Sequence, residues 1–152
     1  MWKFLSTLFS SGRNSTDLYP DNFEAISKKV ESKGTESLEE NELLIYVIWS
    51  FEAELNNGGF HQYFFNSAGD FAVEAHSSLQ KIGAVGMAEL LNSAIQIAFN
   101  GETPKNRIER QSLLELDEEE KEEALGELGS NFYSSDENIA ELVNMYLANR
   151  VL

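Results

Sequence analysis

The sequence contains no cysteine, two prolines and two histidines among its 152 residues. Without cysteine, no disulfide framework can form. Basic residues are also scarce, because 11 Lys and Arg stand against 26 Asp and Glu, which gives a net charge of −15. A chain so acidic is repelled by nucleic acid and by anionic membranes, so direct binding to either is not expected. A basic protein is the kind of partner that this charge favours.

Long apolar runs are missing as well. The opening MWKFLSTLFSSG is interrupted by Ser6 and Thr7, which makes it too short and too polar for a good signal peptide. Nothing later approaches the roughly 18 apolar residues of a membrane span. We therefore expect a soluble cytoplasmic protein, with peripheral attachment through Trp2, Phe4 and Leu5 left open as the alternative.

The apolar residues that are present amount to 42% of the chain, with 11% aromatic, which suffices for a packed core. Segments with helical periodicity follow one another, and the short β-rich runs typical of strands are absent. The sequence therefore predicts an all-α fold: a single compact domain over residues 1–152, with about six or seven helices around a buried central helix. Residues 1–20 are expected to form a loosely attached N-terminal segment, and residues 38–100 the motif-bearing core.

The central helix is predicted from the stretch TESLEENELLIYVIWSFEAEL. Ser37 and Glu40 have the spacing of a capping box. Residues 43–51 are apolar on nearly every side, and a helix that is apolar all round is buried all round.

Further helices follow it. The pattern predicts one over about residues 70–81, and others in AVGMAELLNSAIQIAF, NRIERQSLLEL, EEEKEEALGELG and NIAELVNMYLANR. Asp117 and Glu120 have the spacing of a second capping box.

The stretch ELNNGGFHQYFFNSAGD, residues 54–70, lies between the central helix and the helix predicted over about residues 70–81. Asn and Gly at positions 57–59 tolerate positive φ, so they predict a left-handed helix end and a tight corner. The aromatic residues at positions 60, 63 and 64 fall on one face of a short helix and are expected to pack on the central helix. Ser67 or Asp70 is predicted to cap the next helix.

Motifs that carry chemistry are few. His61 and His76 lie fifteen residues apart, with neither an HExxH nor a Glu-x-x-His spacing, so no zinc or di-iron site is predicted. Dinucleotide and phosphate-loop fingerprints are absent from the sequence. Asp70 and Glu74 form an acidic pair that either shares a proton or complements a helix N-terminus. We therefore predict no catalytic residue, no metal ligand and no cofactor.

The corner resembles a known pattern, Asn-Gly-Gly-Phe-x-Gln-Tyr/Phe-Phe-x-Asn-Ser-x-Gly, of a bacterial family of acidic helical domains, largely of unknown function, that includes a DNA-mimic protein. The resemblance covers about residues 38–100. It implies an all-α fold, no known catalytic activity, and a DNA-binding protein or transcription factor as partner. The matching positions, which we interpret as packing and turn residues, are Asn57, Gly58, Gly59, Phe60, Gln62, Tyr63, Phe64, Asn66, Ser67 and Gly69.

The densest acidic tract is residues 115–127, where eight of thirteen residues are Asp or Glu. On one straight helix this is about one carboxylate per 2.3 Å of axis, against about one phosphate charge per 1.7 Å in duplex DNA. Imitation of both phosphate strands needs carboxylates from several helices, including those within residues 36–42 and 136–141. The predicted partner-binding residues are Glu118, Glu119, Glu122, Glu123, Glu36, Glu39 and Glu40.

Three functions are compatible with these features. The first is an acidic, non-enzymatic binding protein that occupies the DNA-binding surface of a basic protein. The second is another interaction module, such as an antitoxin or immunity protein that blocks a basic toxin. The third is an enzyme or small-ligand binder with a pocket lined by His61, Gln62, Tyr63 and Asn66. A homodimer is compatible with each of them.

Overall fold

In the computed structural model, residues 23–150 are described, and within them the fold is all-α, with no strand. The prediction of an all-α fold is therefore confirmed. Residues 1–20, including Trp2, Phe4 and Leu5, lie outside the described range. The seven α-helices of that range are α1 Phe23–Lys33, α2 Glu40–Phe65, α3 Ala72–Lys81, α4 Val85–Phe99, α5 Arg107–Glu115, α6 Glu118–Ser134 and α7 Ile139–Arg150.

The chain divides into two compact units, one formed by residues 47–137 and the other by the segments on either side of them. The organisation of residues 1–152 as a single domain stays a prediction. None of the helices within residues 23–150 combines the length and the apolar character that crossing a membrane requires.

Helix α2 is the buried helix that the sequence predicts. Its side chains at positions 44, 45, 47–49, 51, 53 and 55 are all less than a tenth exposed. Its start differs from the prediction, because Ser37 Oγ donates to the carbonyl of Gly34 instead of capping the helix. The helix begins at Glu40, and the Glu39 N–H donates to Glu42 Oε2 at 2.9 Å. The proposed Ser37–Glu40 capping box is therefore wrong, since the capping carboxylate lies two residues later.

The predicted corner is a kink inside α2. Gly58 and Gly59 have non-helical backbone angles, and Gly59 has φ 73° and ψ −167°, a region that residues with a side chain rarely adopt. Beyond the kink, Phe60 and Tyr63 are buried against Phe51, with ring centroids 6.2 Å and 5.3 Å from it. The prediction that these aromatic side chains pack on the central helix is confirmed for Phe60 and Tyr63. The Phe64 ring meets Phe99 of α4, with ring centroids 5.0 Å apart.

The caps predicted for the later helices are mostly wrong. Neither Ser67 nor Asp70 caps α3, which begins at Ala72 with Phe71 in the N-cap position. Asp117 occupies the N-cap of α6 but makes no side-chain cap bond. With φ 53° and ψ 38°, Asp117 adopts the left-handed conformation, which interrupts the helical backbone between α5 and α6. Residues 115–127 are therefore not one straight helix, and the spacing calculated for one does not apply across the break.

One cap comes from far along the chain. The Glu137 carboxylate accepts from the N–H groups of Gly86 and Met87, at 2.7 Å and 2.9 Å. A carboxylate satisfies the unpaired donors at a helix start and interacts favourably with the helix dipole. Glu137 is therefore committed to the start of α4.

Candidate functional site

The polar residues of the motif form a network that fixes the corner. Glu54 Oε2 accepts from Gln62 Nε2 at 2.8 Å and from Asn66 Nδ2 at 3.0 Å. One carboxylate thus joins the helix before the kink to two side chains after it. These contacts support the interpretation of Gln62 and Asn66 as structural residues.

Arg110, on α5, is the residue that the sequence reasoning missed. Its side chain is completely buried. Its guanidinium donates to the carbonyl oxygens of Phe64 at 2.5 Å, Asn66 at 3.0 Å and Pro104 at 3.1 Å. The first two carbonyls lie at the end of α2, where helical partners are lacking. Arg110 therefore supplies a positively charged cap to the C-terminal end of the central helix.

Asp70 provides the counter-charge for Arg110. Arg110 Nη2 lies 2.5 Å from Asp70 Oδ1, and Arg107 Nη2 lies 2.8 Å from Asp70 Oδ2. Burial raises the pKa of the Asp70 carboxyl, but hydrogen bonds from the two arginines outweigh burial and hold the pKa below its ordinary value. Asp70 is thus held as an ion by arginine, which disfavours the interpretation in which it shares a proton with Glu74.

Gly69 lets the chain approach this cluster closely. A Cβ atom at Gly69 would lie 2.8 Å from the carbonyl oxygen of Tyr63 and 2.9 Å from both Arg110 Nε and Phe64 Cα. Two of these neighbours are backbone atoms, which cannot move aside cheaply. Only glycine fits here without displacing either the backbone or the buried guanidinium.

The four side chains proposed to line a ligand pocket do not converge. Gln62 and Asn66 meet on Glu54. Tyr63 is buried, and burial raises the pKa of its hydroxyl far above the ordinary value. That hydroxyl has no hydrogen-bond partner within the described part of the chain. His61 is half-buried and stacks on Phe65, with ring centroids 6.1 Å apart.

The predicted partner-binding residues of α6 are exposed, as a contact surface requires. Glu118, Glu119, Glu122 and Glu123 all lie in the first two turns and face solvent. Lys121, the single basic residue of this stretch, donates instead to the carbonyl of Leu113 at 2.6 Å. The positive charge of Lys121 is therefore directed at the C-terminal end of α5 and not at the four carboxylates.

The second predicted tract lies in the other unit. Glu36, Glu39 and Glu40 are exposed there. Their neighbour Glu42 is held by Lys29, whose Nζ lies 2.8 Å away and lowers the pKa of the carboxyl. Glu42 belongs to residues 36–42 and Glu137 to residues 136–141, the two further tracts in which the sequence predicts carboxylates that imitate phosphate. Both carboxylates are instead engaged in contacts within the fold.

Comparison with known proteins identifies the family to which the chain belongs. Neither curated proteins nor solved structures give a significant match to the chain. The family model described as DMP19-like protein matches residues 36–150. The match includes the corner and extends past residues 38–100 through α5, α6 and α7. Since it covers most of the sequence, the chain belongs to the DMP19-like protein family.

Proposed function

We propose that this protein is a cytoplasmic, non-enzymatic binding protein that acts as a DNA mimic and occupies the DNA-binding surface of a basic DNA-binding protein. Membership of the DMP19-like family, a family of DNA mimics, is consistent with this role. The net charge of −15 favours a basic partner and disfavours nucleic acid itself.

The observation that carries the proposal is the exposed acidic face at the start of α6, formed by Glu118, Glu119, Glu122 and Glu123. Residues one turn apart lie above one another on a helix. The four carboxylates therefore form two short rows, 118 with 122 and 119 with 123. Because Lys121 is turned to Leu113, no neighbouring lysine on this helix neutralises the rows.

A DNA-binding surface presents Lys and Arg side chains spaced to meet phosphate groups. Rows of exposed carboxylates offer such side chains alternative anionic partners. They also attract a basic protein over a distance, since unpaired surface charges steer association.

The polar residues at and around the corner are engaged in structural contacts, which argues against catalysis. Gln62, Asn66, Asp70 and Arg110 are occupied with one another, with Glu54 or with backbone carbonyls. Catalytic groups need access to a substrate. We therefore assign these residues to the fold and the acidic surface to the function.

The test is capture of a partner from the source cell. The full-length chain is immobilised and exposed to lysate at low salt with EDTA present, and the column is then eluted with duplex DNA. A DNA-binding protein that is released by duplex DNA, and that the chain displaces from DNA in solution, is the expected result. Retention of the captured protein during the DNA wash, or a ternary complex with DNA, overturns the proposal.

A matched column carries the chain with Glu118, Glu119, Glu122 and Glu123 all changed to Gln. We expect this column to capture less of the same partner, because it lacks the four exposed charges but keeps the shape of the side chains. Light scattering on the complex reassembled in solution from the chain and the purified partner gives its stoichiometry, and light scattering on the chain alone reports whether it self-associates.

A further inference from the structure

His61, Glu118 and Glu122 come together although they are far apart in the sequence. His61 lies on α2 beyond the kink, and the two glutamates lie on α6. One ligand atom from each of the three side chains lies within 4.8 Å of the other two. All three residues belong to the unit of residues 47–137. The sequence reasoning excluded a metal at His61 because no second ligand stands at a helical spacing from it, and the structure supplies the ligands from another helix.

The arrangement has the geometry of a cation site. Glu118 and Glu122 are one helical turn apart on the same face. Bonds from nitrogen and oxygen ligands to Zn²⁺ are about 2.0–2.2 Å long, so neighbouring ligand atoms in a tetrahedral site are about 3.4 Å apart. The two glutamate side chains are exposed, so rotation about their side-chain bonds can bring the ligand atoms from within 4.8 Å to this spacing.

The three side chains are also available to bind. The ion pairs of the described residues lie at other carboxylates, including Glu24, Glu42, Asp70 and Glu74. Stacking on Phe65, with 17° between the rings, orients the His61 imidazole. Two carboxylates one turn apart repel each other, and a divalent cation between them removes that repulsion.

We propose that His61, Glu118 and Glu122 form a binding site for a first-row divalent transition-metal cation. Imidazole nitrogen favours Zn²⁺, Fe²⁺ or Ni²⁺ over Mg²⁺ and Ca²⁺, whereas carboxylates alone would suit the latter pair. Three protein ligands leave at least one position for water. The exposed Glu119 and Glu123 add negative potential around the site without belonging to it. The proposal is independent of DNA mimicry, because it concerns the protein without its partner.

The test uses untagged, full-length protein stripped of metal with a chelator. Zn²⁺ is titrated into it by calorimetry, and Co²⁺ is added separately to follow the visible absorption of the bound ion. We expect one Zn²⁺ per chain. Glu118→Gln, Glu122→Gln and His61→Asn should each weaken binding by roughly tenfold or more and change the Co²⁺ spectrum. Circular dichroism checks that each variant is folded.

Matched controls separate a built site from general attraction to an acidic surface. Glu119→Gln and Glu123→Gln each remove the same charge from the same two turns, and His76→Asn removes the other histidine. These three variants should bind Zn²⁺ within about twofold of the parent. Absence of stoichiometric binding, or equal losses in Glu118→Gln and Glu119→Gln, overturns the proposal. Because no partner is present, neither result bears on the DNA-mimic function.

Discussion

Arg110 Nη2 lies 2.5 Å from Asp70 Oδ1, and the arginine of this pair is completely buried whereas the aspartate side chain is 30% exposed. A buried cation is tolerated only when its charge is balanced and its donors are satisfied. Asp70 balances the charge and accepts from one N–H group of Arg110. The other four N–H groups donate to the carbonyl oxygens of Phe64, Asn66, Pro104 and Lys105. The pair therefore joins α5 to the segment between α2 and α3, while the contacts to the carbonyls of Phe64 and Asn66 join α5 to the end of the central helix.

Replacing Arg110 by Met should destabilise the protein by about 3 kcal/mol. The change leaves the carbonyls of Phe64 and Asn66 without their donor, while Met keeps most of the buried volume. We place the loss at the low end of the range for broken buried pairs because water reaches Asp70. Urea denaturation followed by circular dichroism measures the free energy of unfolding.

Arg107→Met is the matched control. Arg107 contacts the same carboxylate, but its side chain is 47% exposed, and exposed ion pairs contribute at most about 1 kcal/mol. Equal losses in the two variants would contradict the role that we assign to Arg110.

The Asp70 contact should also make stability depend on pH. The folded pKa of Asp70 lies below its ordinary value, so the unfolded state takes up the proton first as pH falls. The stabilisation is fully present above about pH 5 and is lost as pH falls through the folded pKa, below about pH 4. The difference in unfolding free energy between the parent and Asp70→Asn should be constant near neutral pH and shrink in this acid window. A difference that stays constant down to about pH 3 would show that folding leaves the pKa of Asp70 unchanged, and it would contradict the role of the two arginines.

Local patterns predicted the helices well. The continuous apolar run at residues 43–51 needs no tertiary information to indicate a buried helix, and Gly58 and Gly59 indicate the kink by themselves. Caps were predicted poorly because their donors and acceptors come from distant segments. Glu137, for example, caps a helix that begins some fifty residues earlier.

For the site residues too, local features could be predicted from the sequence and long-range contacts could not. Exposure of Glu118 and Glu122 follows from the apolar residues on the opposite side of α6. Their proximity to His61 depends on how two helices pack, and no spacing in the sequence encodes it. The contact of Arg110 with Asp70 did have a signal in the sequence. Arg107 and Arg110 lie three residues apart and so share a face of α5, where one carboxylate can meet both.

The conformation of Gly59 should be essential to the kink. At φ 73° and ψ −167°, any side chain strains the backbone although the space around it is empty. We expect Gly59→Ala to destabilise the protein by roughly 1–3 kcal/mol. Thermal unfolding measures the loss.

Gly126→Ala provides the comparison for this substitution. Gly126 lies inside α6, and a Cβ atom added to it would meet no neighbouring atom within 4 Å. Alanine there should stabilise the helix by up to about 1 kcal/mol. Opposite signs for the two variants are expected, and an unchanged midpoint in Gly59→Ala would contradict the structural role that we assign to the corner.

The acidic face of α6 should account for the salt dependence of partner binding. Changing Glu118, Glu119, Glu122 and Glu123 to Gln removes four exposed charges, so the fold should survive while affinity for the captured DNA-binding protein falls. Because the attraction is Coulombic, binding of the parent should weaken as salt rises. Its dependence should be shallower than that of the partner on DNA, since scattered carboxylates need not hold the condensed counterions that duplex phosphates release.

Titrations at several salt concentrations, with EDTA present, should give a flatter line for the quadruple variant than for the parent. Glu36, Glu39 and Glu40 changed together to Gln serve as the comparison, because they remove exposed charge from the other unit. If the quadruple variant binds as tightly as the parent while the triple variant loses affinity, the contact surface lies around residues 36–40 and the face of α6 is excluded. If neither set of changes alters the affinity or its salt dependence, the partner does not recognise these carboxylates, and both predicted surfaces are wrong.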